Sequence, residues 1–392
     1  MTADQCNSEL AFHDAAPFDL TVGAHHLTIY ASGADRHRAL FELINGARHT
    51  LDLCFYIFAT DATGAAVRNA LTRAAQRGVA VRLLLDRFGA DADAAFFAAM
   101  CEAGGSFHCF SPKLSQRYLI RNHQKMVIAD GARAMFGGFN IADDYFAPPE
   151  ENGWNDMAIA IEGAAVSGLA EWFARLVRWT ADPRPKFLKL RRAVRTWDWS
   201  DGQLRWLVGG PSKGLSSWAR CVSKDLAGAQ RLDMIMAYFA PSQRLLSLIG
   251  RIAARGRARL VCAAKSDNNA TIGATRSLYD YLLRQRAEVW EFQACKLHTK
   301  LIVVDDAVYL GSANFDVRSL YLNVELMLRI EDRAAAERMR AFVSSHIAAS
   351  ERITPALHAR RAGLWNRVRW NLGWLLVSVV DYTVTRKLNL GL

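Results

Sequence analysis

The chain has 392 residues, of which 51% are hydrophobic and 22% charged, and its formal net charge is +11. This composition excludes a disordered chain, and no uncharged apolar run approaches the roughly 18 residues of a spanning helix, which excludes a multi-pass membrane protein. The positive charge indicates an anionic partner, either nucleic acid or an acidic membrane surface. The first 20 residues contain four acidic residues and no apolar block, which argues against a secretory signal.

The predicted elements occur twice along the chain. Residues 51–59 form a buried-strand pattern, followed by an alanine-rich helix that ends at Arg77 and an apolar strand over residues 79–85. Residues 232–240 begin the same order again, with a helix that ends at Arg255 and a further apolar strand. Each helix is followed by a glycine, which is typical of the left-handed position after a helix end. The pattern predicts an α/β fold of two similar halves, each a mixed, mostly parallel sheet flanked by helices.

The stretch between the halves predicts a connector. Residues 181–195 contain two prolines and six basic residues. We therefore predict a first half over residues 1–183, a basic connector over 184–200 and a second half over 201–350, followed by a C-terminal segment over 351–392. The connector has two open interpretations, a solvated link between the halves or a second contact with an anionic surface.

Each half carries one copy of a His-x-Lys-x4-Asp motif followed by a Gly-x-x-Asn. The two copies comprise His123, Lys125, Asp130 and Asn140 in the first half, and His298, Lys300, Asp305 and Asn314 in the second. On a strand, positions i and i+2 face the same way, so each histidine shares a face with its lysine, whereas each aspartate lies at the strand end and points elsewhere unless the strand is bulged. Six residues separate Asp130 from Gly137 and five separate Asp305 from Gly311, which predicts a tighter hairpin in the second half.

A face that carries imidazole, ammonium and amide groups suits a phosphoryl group. Lysine and asparagine can hold phosphate oxygens and stabilise the charge that develops in a transition state. An imidazole can attack phosphorus or transfer a proton near neutral pH, and two copies supply one histidine for each task. No cluster of histidine, cysteine and aspartate has the spacing of metal ligands, so the sequence predicts no metal and no cofactor.

The double motif resembles the phospholipase D superfamily over about residues 25–350. More narrowly, the chain resembles bacterial cardiolipin synthases of the type without N-terminal membrane helices, through residues 137–145, 154–156, 161–163, 314–319 and 323–325. The resemblance implies one active site between the halves, in which one histidine forms a phosphohistidine and the other is the general acid and base. On this basis we assign His123 as the nucleophile and His298 as the acid/base.

The resemblance also implies roles for the other polar residues of the two motifs. The phosphate would be held by Lys125, Lys300, Asn140 and Asn314, and the catalytic motifs are completed by Asp130 and Asp305. Asp156 and Glu325 lie 33 and 27 residues after the histidines of their own halves, and an acid at this distance orients the imidazole through its other nitrogen. The alternative for these two acids is a charged residue at a solvated strand edge.

The C-terminal segment predicts a membrane contact. Apolar residues recur at helical steps of three and four, at Trp365, Val368, Leu372, Leu375, Val379 and Tyr382. Residues 352–392 contain seven basic residues and one acid, and the uncharged run between Arg369 and Asp381 has 11 residues, too few to span a bilayer. The segment therefore suits an interfacial helix on anionic lipid, and its alternative is a helix that docks on the protein's own core.

Two functional classes follow from these patterns. The first is a phosphatidyltransferase, a cardiolipin synthase that joins two phosphatidylglycerol molecules and releases glycerol. The second is a phospholipase D-type hydrolase or a nuclease; a nuclease would explain the basic charge but would leave the C-terminal helix without a role. We therefore expect an anionic phospholipid and a membrane surface as partners, no nucleic acid, and a peripheral location on the cytoplasmic face of the bacterial inner membrane. A non-catalytic membrane scaffold would not need two intact motifs, and the sequence leaves the oligomeric state open.

Overall fold

The structure, a computed structural model, describes residues 12–111, 120–182, 186–212 and 214–375. It contains two large β-sheets of eight and nine strands, each flanked by helices. One sheet comes from each half of the sequence, so the predicted α/β fold of two similar halves is confirmed.

The first half contains, in chain order, β1 (Phe18–Val22), β2 (His25–Tyr30), α1 (Gly33–Asn45), β3 (Thr50–Phe55), α2 (Ala62–Gln76), β4 (Ala80–Asp86), α3 (Ala98–Glu102), β5 (Ser106–Phe110), β6 (Met126–Ala129), β7 (Arg133–Gly137), β8 (Trp154–Asn155), β9 (Ala158–Glu162) and α4 (Ala165–Ala181). Two short 3₁₀ helices, Asp143–Tyr145 and Pro149–Glu151, lie between β7 and β8.

The connector contains a helix, α5 (Phe187–Thr196), in which Phe187, Leu190 and Val194 are buried, whereas Leu188 is exposed. The second half then contains β10 (Trp199–Asp201), β11 (Leu204–Gly209), α6 (Ser217–Gly228), β12 (Arg231–Met236), β13 (Phe239–Ala240), α7 (Gln243–Arg255), β14 (Arg257–Ala263), α8 (Asn269–Ser277), α9 (Tyr279–Arg284), β15 (Glu288–Phe292), β16 (Lys296–Leu297), β17 (Lys300–Val304), β18 (Ala307–Gly311), β19 (Phe315–Asp316), α10 (Val317–Tyr321), β20 (Glu325–Glu331), α11 (Arg333–Ala348), β21 (Ser350–Ile353), α12 (Pro355–Arg361) and α13 (Leu364–Trp374).

The strand orders of the two sheets correspond. The first sheet runs β1-β2-β9-β7-β6-β3-β4-β5, and the second runs β10-β11-β20-β18-β17-β12-β14-β15-β21. Among the described strands, β3-β4-β5 and β12-β14-β15 pair in parallel, and the other pairs within these two sheets are antiparallel. The sheets are mixed, as predicted, but the expectation of mostly parallel pairing is wrong. Helical crossovers make parallel neighbours where α2 and α7 follow a strand, whereas hairpins after each motif lysine make antiparallel ones.

A glycine follows the repeated helix in each half, but the structure requires it for a different reason in each. Gly78 has a φ of 86°, the left-handed conformation predicted from the sequence. Gly256 has a φ of −143° and a ψ of −124°, and a Cβ at this position would collide with the carbonyl oxygen of Gln230. The left-handed prediction is therefore confirmed for Gly78 and wrong for Gly256, where two chain segments approach too closely for a side chain.

The hairpin that follows each motif strand differs in length by one residue. In the β6–β7 hairpin the last pair is Ala129 with Arg133, which leaves three residues in the loop. In the β17–β18 hairpin the last pair is Val304 with Ala307, which leaves two. The prediction of a tighter second hairpin is confirmed, and because the missing residue comes from the loop, the strands on both sides keep equivalent positions in the two sheets.

A central apolar core is shared by both halves. It contains side chains from the facing sides of the two sheets together with the helices α4 and α11. Phe136 of the first sheet packs edge-on against Trp206 of the second, with ring centroids 4.8 Å apart. One further core lies on the outer face of each sheet. It lies under α1 and α2 in the first half and under α6 and α7 in the second. The shared core fixes the two motif strands, β6 and β17, relative to each other.

The chain after residue 350 begins inside the second sheet. β21 pairs antiparallel with β15 and extends the sheet to Ile353, beyond the boundary drawn at residue 350. The helices α12 and α13 follow. Among the helices of the described ranges, none combines the length and the apolar character that crossing a bilayer requires.

Candidate active site

Backbone hydrogen bonds between the halves bring the two motifs together. The His123 N–H donates to the carbonyl oxygen of Val324 over 2.9 Å, and the Val324 N–H donates to that of Arg121 over 2.8 Å. On the other side, the His298 N–H donates to the carbonyl oxygen of Asn155 over 2.8 Å, beside the parallel pair β8–β16. Each histidine is therefore attached to a segment of the opposite half, and both motifs contribute to one site between the halves.

Each imidazole is also paired with a buried carboxylate of the opposite half. His123 Nδ1 lies 3.0 Å from Glu325, and His298 Nδ1 lies 2.6 Å from Asp156. The sequence associated each acid with the histidine that precedes it in its own half, and this association is wrong, because the cross-half backbone bonds place Val324 beside His123 and Asn155 beside His298.

The pairing determines which nitrogen of each imidazole is available. A carboxylate accepts a hydrogen bond, so Nδ1 carries the proton in the neutral ring and Nε2 keeps its lone pair. The side chains are almost fully buried, with 12% of His123 and 5% of His298 exposed. Two neutral imidazoles with the same tautomer therefore present Nε2 within one site.

Two residues that the sequence analysis did not select help to hold Glu325 and Asp156 in place, one at the carboxylate and one at the backbone. The Ser312 hydroxyl donates to Glu325 over 2.5 Å. The buried Arg36 guanidinium donates to the carbonyl oxygens of Asp156, over 2.5 Å, and of Tyr145, over 2.7 Å. Ser312 stands inside the second motif and could have been noticed there, whereas Arg36 lies far away in the sequence, on α1, with no pattern that marks it.

Burial lowers the proton affinity of both histidines. Burial and the positive charge of Lys300 lower the pKa of His298 to about 3, although Asp156 acts in the opposite direction. Burial also lowers the pKa of His123, against the opposing effect of Glu325. Burial would raise the pKa of Asp156, but Lys300 and His298 outweigh it and hold that pKa below its ordinary value. At neutral pH the site therefore contains neutral imidazoles and an ionised Asp156.

The two motif lysines are buried cations. The Lys125 ammonium donates to the carbonyl oxygen of His123 over 2.7 Å, and that of Lys300 donates to the carbonyl oxygen of His298. Burial lowers the pKa of Lys125 to about 7 and that of Lys300 to about 8, although the nearby carboxylates favour the charged forms. An anion that enters the site would restore the positive charge of both lysines.

The two motif asparagines are also buried. The Asn140 amide oxygen accepts a hydrogen bond from the Ile57 N–H over 3.0 Å, which leaves its NH₂ group as a donor. The Asn314 amide oxygen has no hydrogen-bond partner within the described ranges, although its residue is 4% exposed. A buried polar atom without a partner is costly, and it is common where a ligand completes the site.

The two motif aspartates do not lie beside the imidazoles. Asp130 follows β6, and its carboxylate accepts from the backbone N–H groups of His49 and Thr50, over 2.7 and 2.9 Å. Asp305 follows β17 and accepts in the same way from Arg231, over 2.9 Å. Both have a positive φ, of 56° and 46°. A four-residue strand spans about 13 Å, so the prediction that Asp130 and Asp305 are catalytic is corrected: they tie the hairpin to the neighbouring strand.

Aromatic rings surround the two imidazoles. Tyr56 lies edge-on to His123 with ring centroids 4.9 Å apart. Tyr145 and Trp154 each lie 5.2 Å from the His298 ring. These rings exclude water from the space around the imidazoles and strengthen the electrostatic interactions within it.

The sequence of this chain is similar to proteins of a described family. The family model described as "Cardiolipin synthase, PLD-like domain" matches residues 40–177 and 224–347, and so covers both motifs. The chain is 29% identical to the major cardiolipin synthase ClsA of Bacillus subtilis, over 90% of this chain and 75% of that protein. It is 28% identical to cardiolipin synthase 2 of Bacillus cereus, over 79% of this chain and 62% of that protein, so it spans less than two thirds of this second relative.

A solved structure shows the same fold. The phosphatidylserine synthase of Haemophilus influenzae superposes with a TM-score of 0.71, at 14% sequence identity, over 96% of this chain and 97% of that chain. At this identity the likeness concerns the fold, and it extends through both halves.

Proposed function

The chain belongs to the family of phospholipase D-like cardiolipin synthase domains, and from this premise we propose that it is a phosphatidyltransferase that joins two phosphatidylglycerol molecules into cardiolipin and releases glycerol. The observation that carries the proposal is the pair of neutral imidazoles, His123 and His298, each held at Nδ1 by a carboxylate of the opposite half. Such a pair supplies one nucleophile and one acid/base to the same phosphorus atom.

The reaction needs two displacements at phosphorus. In the first, Nε2 of one histidine forms a bond to phosphorus, and the bond from phosphorus to the oxygen of the head-group glycerol breaks. The other histidine gives that oxygen a proton, and glycerol leaves. In the second, the terminal hydroxyl of another phosphatidylglycerol attacks phosphorus, its proton returns to the acid/base histidine, and the nitrogen–phosphorus bond breaks. One phosphodiester replaces another, so no nucleotide is required.

The remaining site residues hold the phosphate in this proposal. Lys125, Lys300, Asn140 and Asn314 surround the imidazoles and donate to the non-bridging oxygens, whose charge increases in the transition state. Asp156 and Glu325 position the two imidazoles and stabilise their protonated forms. The site residues contain no feature that calls for a metal, because the two lysines already provide positive charge.

We propose that α13 holds the protein on the membrane surface. Seven large hydrophobic side chains are exposed within the described ranges, and five of them lie between residues 364 and 375: Leu364, Trp365, Val368, Leu372 and Leu375. Trp365 is 84% exposed. The opposite side of the helix docks on α8 through the buried Trp370, so docking on the core leaves this apolar row uncovered. Val379 and Tyr382 lie outside the described residues.

The charge around this row favours an anionic lipid surface. Arg360, Arg367 and Arg369 lie on α12 and α13, and basic residues beside an interfacial apolar face attract acidic head groups. We therefore propose a peripheral location on the cytoplasmic face of the bacterial inner membrane, where phosphatidylglycerol is both surface and substrate. Nucleic acid is not a partner in this proposal.

Lipid analysis tests the proposed reaction. Purified protein is incubated with phosphatidylglycerol vesicles without CTP or CDP-lipid, and the products are identified by mass spectrometry. We expect cardiolipin and glycerol in equal amounts, and the reverse reaction when glycerol is supplied in excess. Phosphatidic acid as the sole product would instead make the protein a hydrolase, and cleavage of DNA without lipid conversion would make it a nuclease.

A further inference from the structure

A tyrosine and a carboxylate lie beside the His298 imidazole. The Tyr238 ring is edge-on to the His298 ring, with ring centroids 6.4 Å apart. The Tyr238 hydroxyl donates to Asp267 over 3.0 Å, and the Ser266 hydroxyl donates to the same carboxylate oxygen over 3.1 Å. Tyr238 is half-buried and Asp267 is exposed. The two side chains therefore lie at the edge of the site, next to His298, where a ligand can reach them.

The Asp267 carboxylate has room for a further hydrogen bond. Both of its hydrogen bonds reach Oδ1, and among the described residues it forms no ion pair and its Oδ2 has no donor. Burial lowers the pKa of Lys300 to about 8, and Asp267 is one of the carboxylates that oppose this effect. A carboxylate at this place repels a phosphate, but it accepts hydrogen bonds from the hydroxyl groups of a substrate.

The pair of Tyr238 and Asp267 has no counterpart at the equivalent position of the first half. Ile57 corresponds to Tyr238, because the carbonyl oxygen of each accepts from the N–H of the residue after a motif asparagine, over 3.2 and 3.1 Å. Isoleucine has no hydroxyl that could hold a carboxylate. The two halves therefore present different groups to a substrate at this position, and the polar pair belongs to the His298 side.

We propose that Tyr238 and Asp267 form a subsite for the glycerol of the phospholipid head group. This inference rests on the proposed transferase function and names the residues that select its alcohol. Glycerol leaves in the first displacement, and the terminal glycerol of another phosphatidylglycerol attacks in the second, so the reacting oxygen has a neighbouring hydroxyl in both steps. That neighbouring hydroxyl donates to Asp267. Tyr238, which gives its own proton to Asp267, accepts a hydrogen bond from the same glycerol.

The position of the subsite agrees with His298 as the acid/base. An in-line displacement places the leaving and the attacking alcohol opposite the nucleophilic nitrogen, which is the side of the acid/base. A glycerol held beside His298 exchanges its proton with His298, while His123 carries the phosphatidyl group. This order is the one that we assigned from the family resemblance.

The subsite gives the enzyme a preference for glycerol over alcohols that have a single hydroxyl. A site built around a hydrogen bond to a substrate hydroxyl discriminates against the analogue that lacks this group, because the polar residues of the site then lose their partner. The second hydroxyl also holds the reacting one beside His298 and raises its effective concentration relative to water.

The test is a competition between two alcohols for the full-length protein on phosphatidylglycerol vesicles. Isotopically labelled glycerol and 1-propanol are supplied in equal amounts, and mass spectrometry gives the ratio of labelled phosphatidylglycerol to phosphatidylpropanol. The wild type should favour glycerol. Asp267→Ala should lower the ratio by about tenfold, the effect of one lost hydrogen bond to a charged group. Tyr238→Phe, which keeps the ring beside His298, should lower it by a smaller factor, and continued formation of phosphatidylpropanol shows that both variants are folded.

Asp144→Ala is the matched control. Asp144 is also an exposed acid on the His298 side, since its partner Lys296 lies 4.7 Å from the Trp154 ring, but it already forms an ion pair. Its removal should leave the ratio unchanged. An equal fall in Asp144→Ala and Asp267→Ala would show that only the negative charge of this region matters, and the subsite would be disproved.

The other outcomes separate the subsite from the proposed function. If both alcohols are incorporated but the wild type does not favour glycerol, or Asp267→Ala keeps the wild-type ratio, the subsite is disproved and the transferase function stands. If ethanolamine replaces glycerol in the same competition, the carboxylate selects a cation and the subsite is disproved. A phosphatidyl adduct on His298 would also overturn it. If the wild type forms only phosphatidic acid, the proposed function is disproved and the subsite with it.

Discussion

The two sides of the active site share a backbone and differ in the side chains around each histidine. Both imidazoles are bound to a cross-half carboxylate and lie beside a buried lysine. Around His298 stand the rings of Tyr145 and Trp154, and Trp154 also contacts a lysine that forms an ion pair, whereas the ring beside His123 is that of Tyr56. The comparison teaches that a duplicated motif supplies two equivalent imidazoles. The difference between their roles has to come from residues outside the motif.

The largest expected effect is the loss of either imidazole. His123→Ala and His298→Ala should each reduce cardiolipin formation by about 10⁴-fold or more, because the nucleophile and the acid/base act as one unit. Initial rates on phosphatidylglycerol vesicles measure the loss, and circular dichroism controls for folding. Near-normal activity in either variant would contradict the two-histidine mechanism. The variant that still forms a phosphatidyl adduct identifies the side on which the nucleophile lies.

The second largest effect is expected when the charge of either cross-half carboxylate is removed. Asp156→Asn and Glu325→Gln keep the shape of the side chain but remove the charge that fixes each imidazole, and we expect kcat to fall by about 10²–10⁴-fold in each. The KM for phosphatidylglycerol should change far less, because neither acid contacts the phosphate. A rise in KM with an unchanged kcat would show that these acids bind substrate instead.

The lysines predict the pH dependence. Because burial lowers the pKa of Lys125 to about 7 and that of Lys300 to about 8, the empty site loses positive charge as the pH rises through this range. Each pKa is lowered, so the cation that binds phosphate is present below pH 7 and disappears above pH 8. We expect kcat/KM, which reports the free enzyme, to fall by about tenfold per pH unit between pH 7 and 8, where Lys125 alone loses its proton, and by about a hundredfold per pH unit above pH 8, where both lysines do.

Lys125→Arg is the control for this pH dependence. Arginine stays charged throughout that range, so the decline due to position 125 should vanish even if the absolute rate is lower. An identical alkaline decline in this variant would assign the titration to another group.

A smaller effect is expected at the membrane surface. Trp365→Ser on α13 removes an apolar side chain that is 84% exposed, and the fraction bound to anionic vesicles should fall by about tenfold, as its area in contact with lipid predicts. Leu188→Ser is the matched control, since Leu188 is also exposed but lies on the basic helix α5. Vesicle sedimentation measures both variants. Equal losses in the two would mean that the connector contributes to the contact as much as α13.

No effect is expected from a chelator. Lys125 and Lys300 supply the positive charge at the phosphate, so activity in excess EDTA should equal activity without it. A large loss that a divalent cation reverses would contradict this account of phosphate binding on both sides of the site.

The features that the sequence predicted correctly are those that depend on the internal repeat and on short spacings along the chain. His123 and Lys125 share a face because they are two residues apart on an extended segment. The two-residue loop that contains Asp305 follows from the missing residue before Gly311. Both features depend on neighbours in the chain. The helix and strand order was predictable for the same reason, since each repeat shows its own apolar pattern.

The features that the sequence did not predict depend on contacts distant in the chain. Asp156 pairs with His298, 142 residues away, and Glu325 pairs with His123, 202 residues away. Backbone hydrogen bonds across the interface produce both pairings. Arg36 reaches the Asp156 carbonyl across 120 residues. The antiparallel pairing of most strands was not predicted either, because the apolar periodicity of a strand does not specify the direction of the strand beside it. Contacts of this kind are visible only in the folded chain, whether they lie within one half, as for Arg36, or between the two halves.

The most direct test of the cross-half, two-histidine site is to trap its intermediate. The wild-type protein is mixed with phosphatidylglycerol, quenched within the first turnover under alkaline denaturing conditions that preserve phosphohistidine, and examined by peptide mass spectrometry. The account predicts one phosphatidyl group, on either His123 or His298, that appears before cardiolipin does. Cardiolipin formation at the normal rate with no adduct on either His123 or His298 would contradict it.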